Sequence, residues 1–177
     1  GNILDQYQLL QRTKVDQSRS RTPDGTGPWS LTTTTANATN GAAIPEYVQR
    51  PQLTPVAGFY TGAQNITITG PADATIRYTT DGTEPTTTSA AYSGPINVAA
   101  TTVIKAACFS TIPGVPQSFT ETNTYFIDVD HGVCVVSASG DEIPVLLNGN
   151  GGIRPLGCLE YFGADGVLRD EAIGEFN

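Results

Sequence analysis

Between Ile76 and Pro85 the chain reads Ile-Arg-Tyr-Thr-Thr-Asp-Gly-Thr-Glu-Pro. Its first half alternates apolar and polar side chains, the period of a half-buried strand. The pattern stops at Asp81-Gly82, and an Asp-Gly pair after a β-rich run marks a turn because glycine accepts positive φ. Pro85 then removes a backbone donor and prevents easy continuation. Further turn clusters follow the same logic at Gly70-Pro71-Ala72-Asp73, Ala99-Ala100-Thr101 and Pro113-Gly114-Val115-Pro116. They delimit strands predicted at Gln64–Thr69, Thr75–Thr80, Gly94–Val98, Thr102–Ser110 and Phe119–Ile127. Short strands at regular spacing, with no helical period between them, predict a sandwich. Its inward positions are expected to include Phe59, Ile66, Ile68, Ile76, Tyr78, Tyr92, Ile96, Val103, Ile104 and Tyr125.

Composition agrees with an all-β chain. About one residue in seven is Thr, and Gly (19) and Pro (12) are frequent. β-branched Thr suits a pleated surface. The formal net charge is −8, and lysine occurs only at Lys14 and Lys105. Such a chain has no basic patch to neutralise phosphates, so nucleic acid is not expected as a partner. Membrane insertion is not expected either, because no apolar run approaches the ~20 residues of a span.

Four segments are expected. Residues 1–31 form a partial β segment with a strand at Ile3–Leu10 and a dense turn at Thr22–Pro28 before Trp29. Residues 32–50 read as an extended, exposed linker. Residues 51–128 form the β-sandwich module, and residues 129–177 a β-rich tail. In the tail, Val133–Ala138, Ile143–Leu147 and Cys158–Phe162 look like strands, and Ala164–Val167 like a hairpin turn. The opening at Gly1-Asn2-Ile3, without Met, and the close at Glu175-Phe176-Asn177 lead us to expect an internal piece of a larger protein.

Few residues carry recognisable chemistry. His131, the only histidine, stands in Asp130-His131-Gly132, where a surface turn is the simpler expectation than a Ser/His/Asp site. One His and three scattered Cys lack the paired spacing of a structural zinc site. Asp128 and Asp130 could offer oxygen ligands to Ca²⁺, although no complete calcium loop is present. Asp81 and Glu84 fall in a turn, where Asp bonds its own backbone. Tyr47 and Tyr60 are expected to be exposed and able to stack on a sugar ring; Tyr78 faces inward. Asn37-Ala38-Thr39 and Asn65-Ile66-Thr67 match the short N-glycosylation pattern. The odd count of Cys108, Cys134 and Cys158 leaves at least one thiol free or paired between chains. A Cys134–Cys158 bridge is the favoured disulfide, since both lie in the tail.

The run Tyr78-Thr79-Thr80-Asp81-Gly82-Thr83-Glu84-Pro85 has further company. Phe59-Tyr60-Thr61-Gly62 precedes it, and Tyr92, Pro95-Ile96, Thr102-Val103-Ile104-Lys105-Ala106 and Tyr125 follow. This set resembles the C-terminal β-sandwich module of chitobiase and β-hexosaminidase. The resemblance implies an immunoglobulin- or fibronectin-like fold and a non-catalytic accessory role beside glycosidases and in bacterial surface proteins. Arg21 to Trp29, with Asn40, is similar to the end of a bacterial lamin-tail-like domain. Gly140 to Pro144 and Glu160 to Gly166 resemble the opening of a spore-coat CotH-type region, whose catalytic residues would lie downstream.

The expected function is a non-enzymatic, extracellular structural, adhesive or assembly segment of a bacterial surface or filament protein, with no cofactor of its own. Self-association through unpaired strand edges is the expected mode of partnership. The alternative is a carbohydrate-binding accessory module of a glycosidase or of a CotH-like kinase protein, with a glycan as partner.

Overall fold

The computed structural model describes residues 12–149 and 151–176; the strand expected at Ile3–Leu10 lies outside them. The chain divides into two compact units, Gly1–Tyr47 with Pro113–Pro116, and Val48–Ile112 with Gln117–Asn177.

The first unit contains an antiparallel hairpin of β1 (Gln17–Arg21) and β2 (Trp29–Thr33), in which Arg21 pairs with Trp29. The Thr22–Pro28 turn closes with Thr22 N–H donating to the Pro28 carbonyl at 3.1 Å. Arg21 donates to the Gly27 carbonyl at 2.7 Å and lies 5.4 Å from the Trp29 ring centroid. No strand was expected at Gln17–Arg21, because Gln-Ser-Arg-Ser-Arg carries no apolar alternation. What holds it is polar cross-strand pairing: Thr32 Oγ1 lies 2.7 Å from Ser20 Oγ and 3.2 Å from Ser18 Oγ. Thr32, at the start of the expected exposed linker, is therefore fully buried, as is Leu31.

The second unit holds the remaining elements. A three-stranded sheet has the order β3 (Gln52–Thr54), β5 (Gln64–Thr69), β8 (Ile96–Val98). A five-stranded sheet runs β4 (Gly58–Tyr60), β10 (Glu121–Ile127), β9 (Thr102–Ser110), β6 (Ala74–Thr79), β7 (Ala90–Ala91). Leu53, Ile66, Ile68 and Val98 from the first sheet meet Ile104, Ala106, Tyr125 and Ile127 from the second. Ile76, Tyr78, Tyr92 and Ile96 pack against this core, as their alternation predicted. The unit is an all-β sandwich. Two inward assignments fail. Ile104 occupies the core, so neighbouring Val103 points to the other side, because strand side chains alternate. Phe59 belongs to a different cluster.

That second cluster arises because both faces of β10 are buried. Asn123, Tyr125 and Ile127 share one face; Thr122, Thr124 and Phe126 share the other. The tail supplies the cover. It forms an antiparallel sheet of β11 (Val135–Ser139), β12 (Leu156–Phe162) and β13 (Leu168–Glu175). Ala57, Phe126 and Phe162 are buried together, with Phe59, Val135 and Leu168 around them. The Phe162 ring meets Phe126 edge-on at 5.3 Å, and Phe59 stacks on Phe126 at 4.4 Å.

Two further differences concern the tail. Ile143–Leu147 is a short helix, α1, rather than a strand. Pro144 in its first turn fits a helix start and cannot donate to a ladder. Only Ile143 is buried, so the apolar run does not line a sheet face. Beyond the Ala164–Val167 turn, β13 was not foreseen, since Arg169-Asp170-Glu171 interrupts its apolar pattern.

Candidate functional site

The residues expected to carry chemistry separate in the structure. Tyr47 is 8% exposed, not open to a ligand. Its hydroxyl accepts from the Lys14 backbone N–H at 2.9 Å and donates to Gln17, which fixes the ring in the first unit.

Tyr60, Asp128, Asp130 and His131 do gather, around Phe59 in the second unit. Tyr60, Asp128 and Asp130 are each engaged in holding the chain, and His131 packs edgewise on rings. The Tyr60 ring tilts against Tyr125 at 6.1 Å, and its hydroxyl donates to the Val56 carbonyl at 2.5 Å. Asp128, in the left-handed region at φ 54°, accepts from Gly62 N–H at 2.7 Å. Asp130 accepts from Gly132 N–H at 3.0 Å, closing a local turn. His131 sets its ring edgewise to Phe59 at 5.9 Å and Phe126 at 6.1 Å. No hydrogen bond joins its imidazole to another described residue, so no base–nucleophile pair forms. Among the described residues no group of three or more His, Cys, Asp or Glu could hold a metal ion. The cleft beside His131, bounded by Gly163–Gly166, has a volume of 190 Å³; the adjoining open depression lined by Tyr60, Thr61, Asp128 and Asp130 has 340 Å³, at the lower end of the ~300–1,000 Å³ range of small-molecule sites.

The expected Cys134–Cys158 bridge is absent. The pairing of Ser139 with Cys158 and of Val135 with Phe162 sets the two cysteines at opposite ends of one ladder. At ~3.4 Å per residue that separation far exceeds the reach of a disulfide. All three thiols are free; Cys108 and Cys158 are buried and Cys134 is exposed. Burial pushes the Cys108 and Cys158 thiols up to about 11. Cys134 Sγ accepts from the Tyr161 hydroxyl at 3.3 Å.

The strongest concentration of ionisable groups lies elsewhere, between the five-stranded sheet and the tail sheet. Lys105 has no exposure, and its ammonium donates to Glu84 Oε1 at 2.6 Å. Glu84 Oε2 accepts from the Thr120 hydroxyl at 2.8 Å, and Glu84 N–H donates to Asp141 at 2.7 Å. Arg50 joins two carboxylates at 2.8 Å each, Glu121 through Nε and Glu171 through Nη2. It also donates to the Thr120 carbonyl at 2.9 Å.

Glu160 stands opposite Glu171 in the β12–β13 ladder and is 1% exposed. It accepts from the Thr124 N–H at 3.1 Å and from the Thr124 hydroxyl, which lies 2.7 Å from Ser137 Oγ. Loss of water pushes its carboxyl up to about 7, and the charges of Glu171 and Glu121 push the same way. The Thr124 hydrogen bonds oppose the shift. In the sequence Glu160 is one polar residue of the expected strand Cys158–Phe162. The only signal was the sequence Thr122-Asn123-Thr124 in β10, polar on both faces and so able to receive a polar partner.

The opening turn forms as expected. Asp81 Oδ1 accepts from Thr83 N–H at 3.1 Å and from its hydroxyl at 2.6 Å, while Gly82 takes φ 80°. These bonds hold the Asp81 carboxyl below its ordinary value.

Comparison with known proteins agrees with the central module. Residues 55–120 match the sequence model of the chitobiase/beta-hexosaminidase C-terminal domain, a non-catalytic accessory module of glycosidases with an immunoglobulin-like fold. The lamin-tail-like and CotH-like flanks have no such match. No curated protein and no solved structure matches the chain. Among the described residues no helix is long and apolar enough to cross a membrane.

Proposed function

We propose that this chain is a non-enzymatic, extracellular accessory β-sandwich segment whose work is structural, with the tail folded onto the module as a fixed continuation of it. One observation carries the reading: the outer face of the five-stranded sheet is closed by β11–β13, through the Phe59–Phe126–Phe162 rings and buried Glu160. A face closed in this way is unavailable for substrate. The charged residues around it are bonded mainly to one another.

The test is calorimetric titration of the full chain with chitin, cellulose and mixed soluble glycans, beside assays for glycoside hydrolysis. Flat isotherms and no turnover are expected. Saturable binding would move the assignment to a carbohydrate-binding module, and turnover would overturn it. The same structural reading includes self-association by edge pairing. β13, eight residues long, stands at the edge of its sheet with one ladder side unpaired by β12. Sedimentation across a concentration series checks this part, and a monomer throughout would remove it.

A further inference from the structure

Glu160 is a buried carboxylate surrounded by more acid than base. On its own sheet it pairs with Ser137 of β11 on one side and Glu171 of β13 on the other. Like charges directly opposite in a ladder oppose each other. From β10 it faces Thr124, with Glu121 further along the strand and Tyr125 turned to the opposite side. Cys158 lies on its own strand and Lys105 on β9.

The nearby cations are committed. Lys105 is bonded to Glu84, and Arg50 divides its guanidinium between Glu121 and Glu171. Glu160 has only the amide and hydroxyl of Thr124 as donors among the described residues. Taking a carboxylate out of water without a cation is costly, and neutralisation removes that cost. When protonated, Glu160 can donate to Thr124 Oγ1, which can pass its own hydrogen to Ser137 Oγ.

We propose that the contact between the tail sheet and β10 is a proton-operated joint, tight when Glu160 is protonated and loosened when it ionises. The sign follows from linkage. The folded-state value near 7 lies above the ordinary carboxylate value of 4.5, so the closed form binds the extra proton. Its stability is full below the ordinary value. It falls as pH rises through the interval and reaches its floor above the folded value. The joint therefore tightens on mild acidification, whereas ordinary paired carboxylates weaken a fold in acid.

The test combines two measurements on the full chain. Carboxyl-carbon NMR should show Glu160 titrating near neutrality; a midpoint in the ordinary carboxylate range would overturn the proposal. Hydrogen exchange, corrected for intrinsic rates, should show the opening constant of β11–β13 amides rising on the order of 50-fold between about pH 5 and pH 8. Glu160→Gln keeps the shape without the charge and should flatten that rise, while a wild-type slope in this variant would overturn the idea. Thr124→Val removes a donor that favours the ionised form and should move the NMR midpoint upward. A midpoint that falls or stays fixed counts against the joint. Should Glu160→Gln not fold, the wild-type titration still decides.

Discussion

The ammonium of Lys105 lies 2.6 Å from Glu84 Oε1, yet Lys105 has no exposure and the Glu84 side chain is 39% exposed. The pair joins strand β9 to the turn that follows β6, and its two ends stand in different surroundings. The asymmetry decides what each truncation does. Glu84→Ala strands an ammonium that cannot reach water, at a cost of about 3–5 kcal/mol. Lys105→Met keeps the aliphatic stem, and Glu84 can turn outward, so the expected cost is nearer ~1 kcal/mol. Denaturant unfolding of the two variants reads the order directly. Equal losses would contradict the asymmetry.

Asp81 holds the other half of the same turn, and its pH behaviour has the opposite sign to that of Glu160. Thr83 hydrogen bonds lower its carboxyl. Its contribution is therefore complete above the ordinary carboxylate range and is lost as pH falls through the lowered value. Asp81→Ala should cost about 1 kcal/mol at neutral pH, the net worth of hydrogen bonds of this kind. The gap between wild type and variant should narrow in acid, below the ordinary carboxylate range, as the carboxylate protonates. Thermal unfolding across an acid series measures both effects.

Gln64–Thr69 was legible because its sheet buries one face, which writes period-2 alternation into the sequence, whereas Thr102–Ser110, buried on both faces at its centre, was legible as a β-rich run bounded by turn clusters. Gln64–Thr69 and Thr102–Ser110 form with the predicted bounds. The turn at Asp81-Gly82 was legible for a local reason, since its bonds close within two residues. Lys105–Glu84 and Glu160–Thr124 were not, because both depend on a second cover over the five-stranded sheet. No local pattern says that a lysine in mid-strand will be buried by residues some thirty positions later. The β1 strand hid for a related reason: its pairing rests on Ser20, Ser18 and Thr32, which no apolar period marks.

The three thiols should react at very different rates. Cys134 is exposed, while Cys108 and Cys158 are buried and raised to about 11. Reaction requires both access and thiolate, and the buried pair lacks both. Brief alkylation of the native chain should add one label, on Cys134, and denaturant should release the other two. Mass spectrometry of the labelled peptides identifies the sites. Fast labelling of Cys158 would mean that the tail sheet leaves β10 often.

Phe162 offers the most direct reading of whether module and tail unfold together. Its ring has no exposure and meets the rings of Phe126 and Phe59, which belong to β10 and β4 of the module. Truncation to Ala removes apolar contact on both sides and leaves a cavity, at an expected cost of about 3–5 kcal/mol. Val136→Ala on β11 is a suitable control, because Val136 is 57% exposed and surface changes stay within roughly 0.5 kcal/mol. If the ring cluster and the buried charged layer make one cooperative body, Phe162→Ala lowers a single transition that hydrogen exchange of module amides and of β11–β13 amides reports alike. If the tail were an independent appendage, the variant would instead show an early transition confined to β11–β13, with the module's own midpoint unchanged. In the wild-type chain module and tail should unfold in one transition for the same reason. Arg50 strengthens the expectation, since its bonds to Glu121 and Glu171 tie β10 to β13 at a point away from the rings.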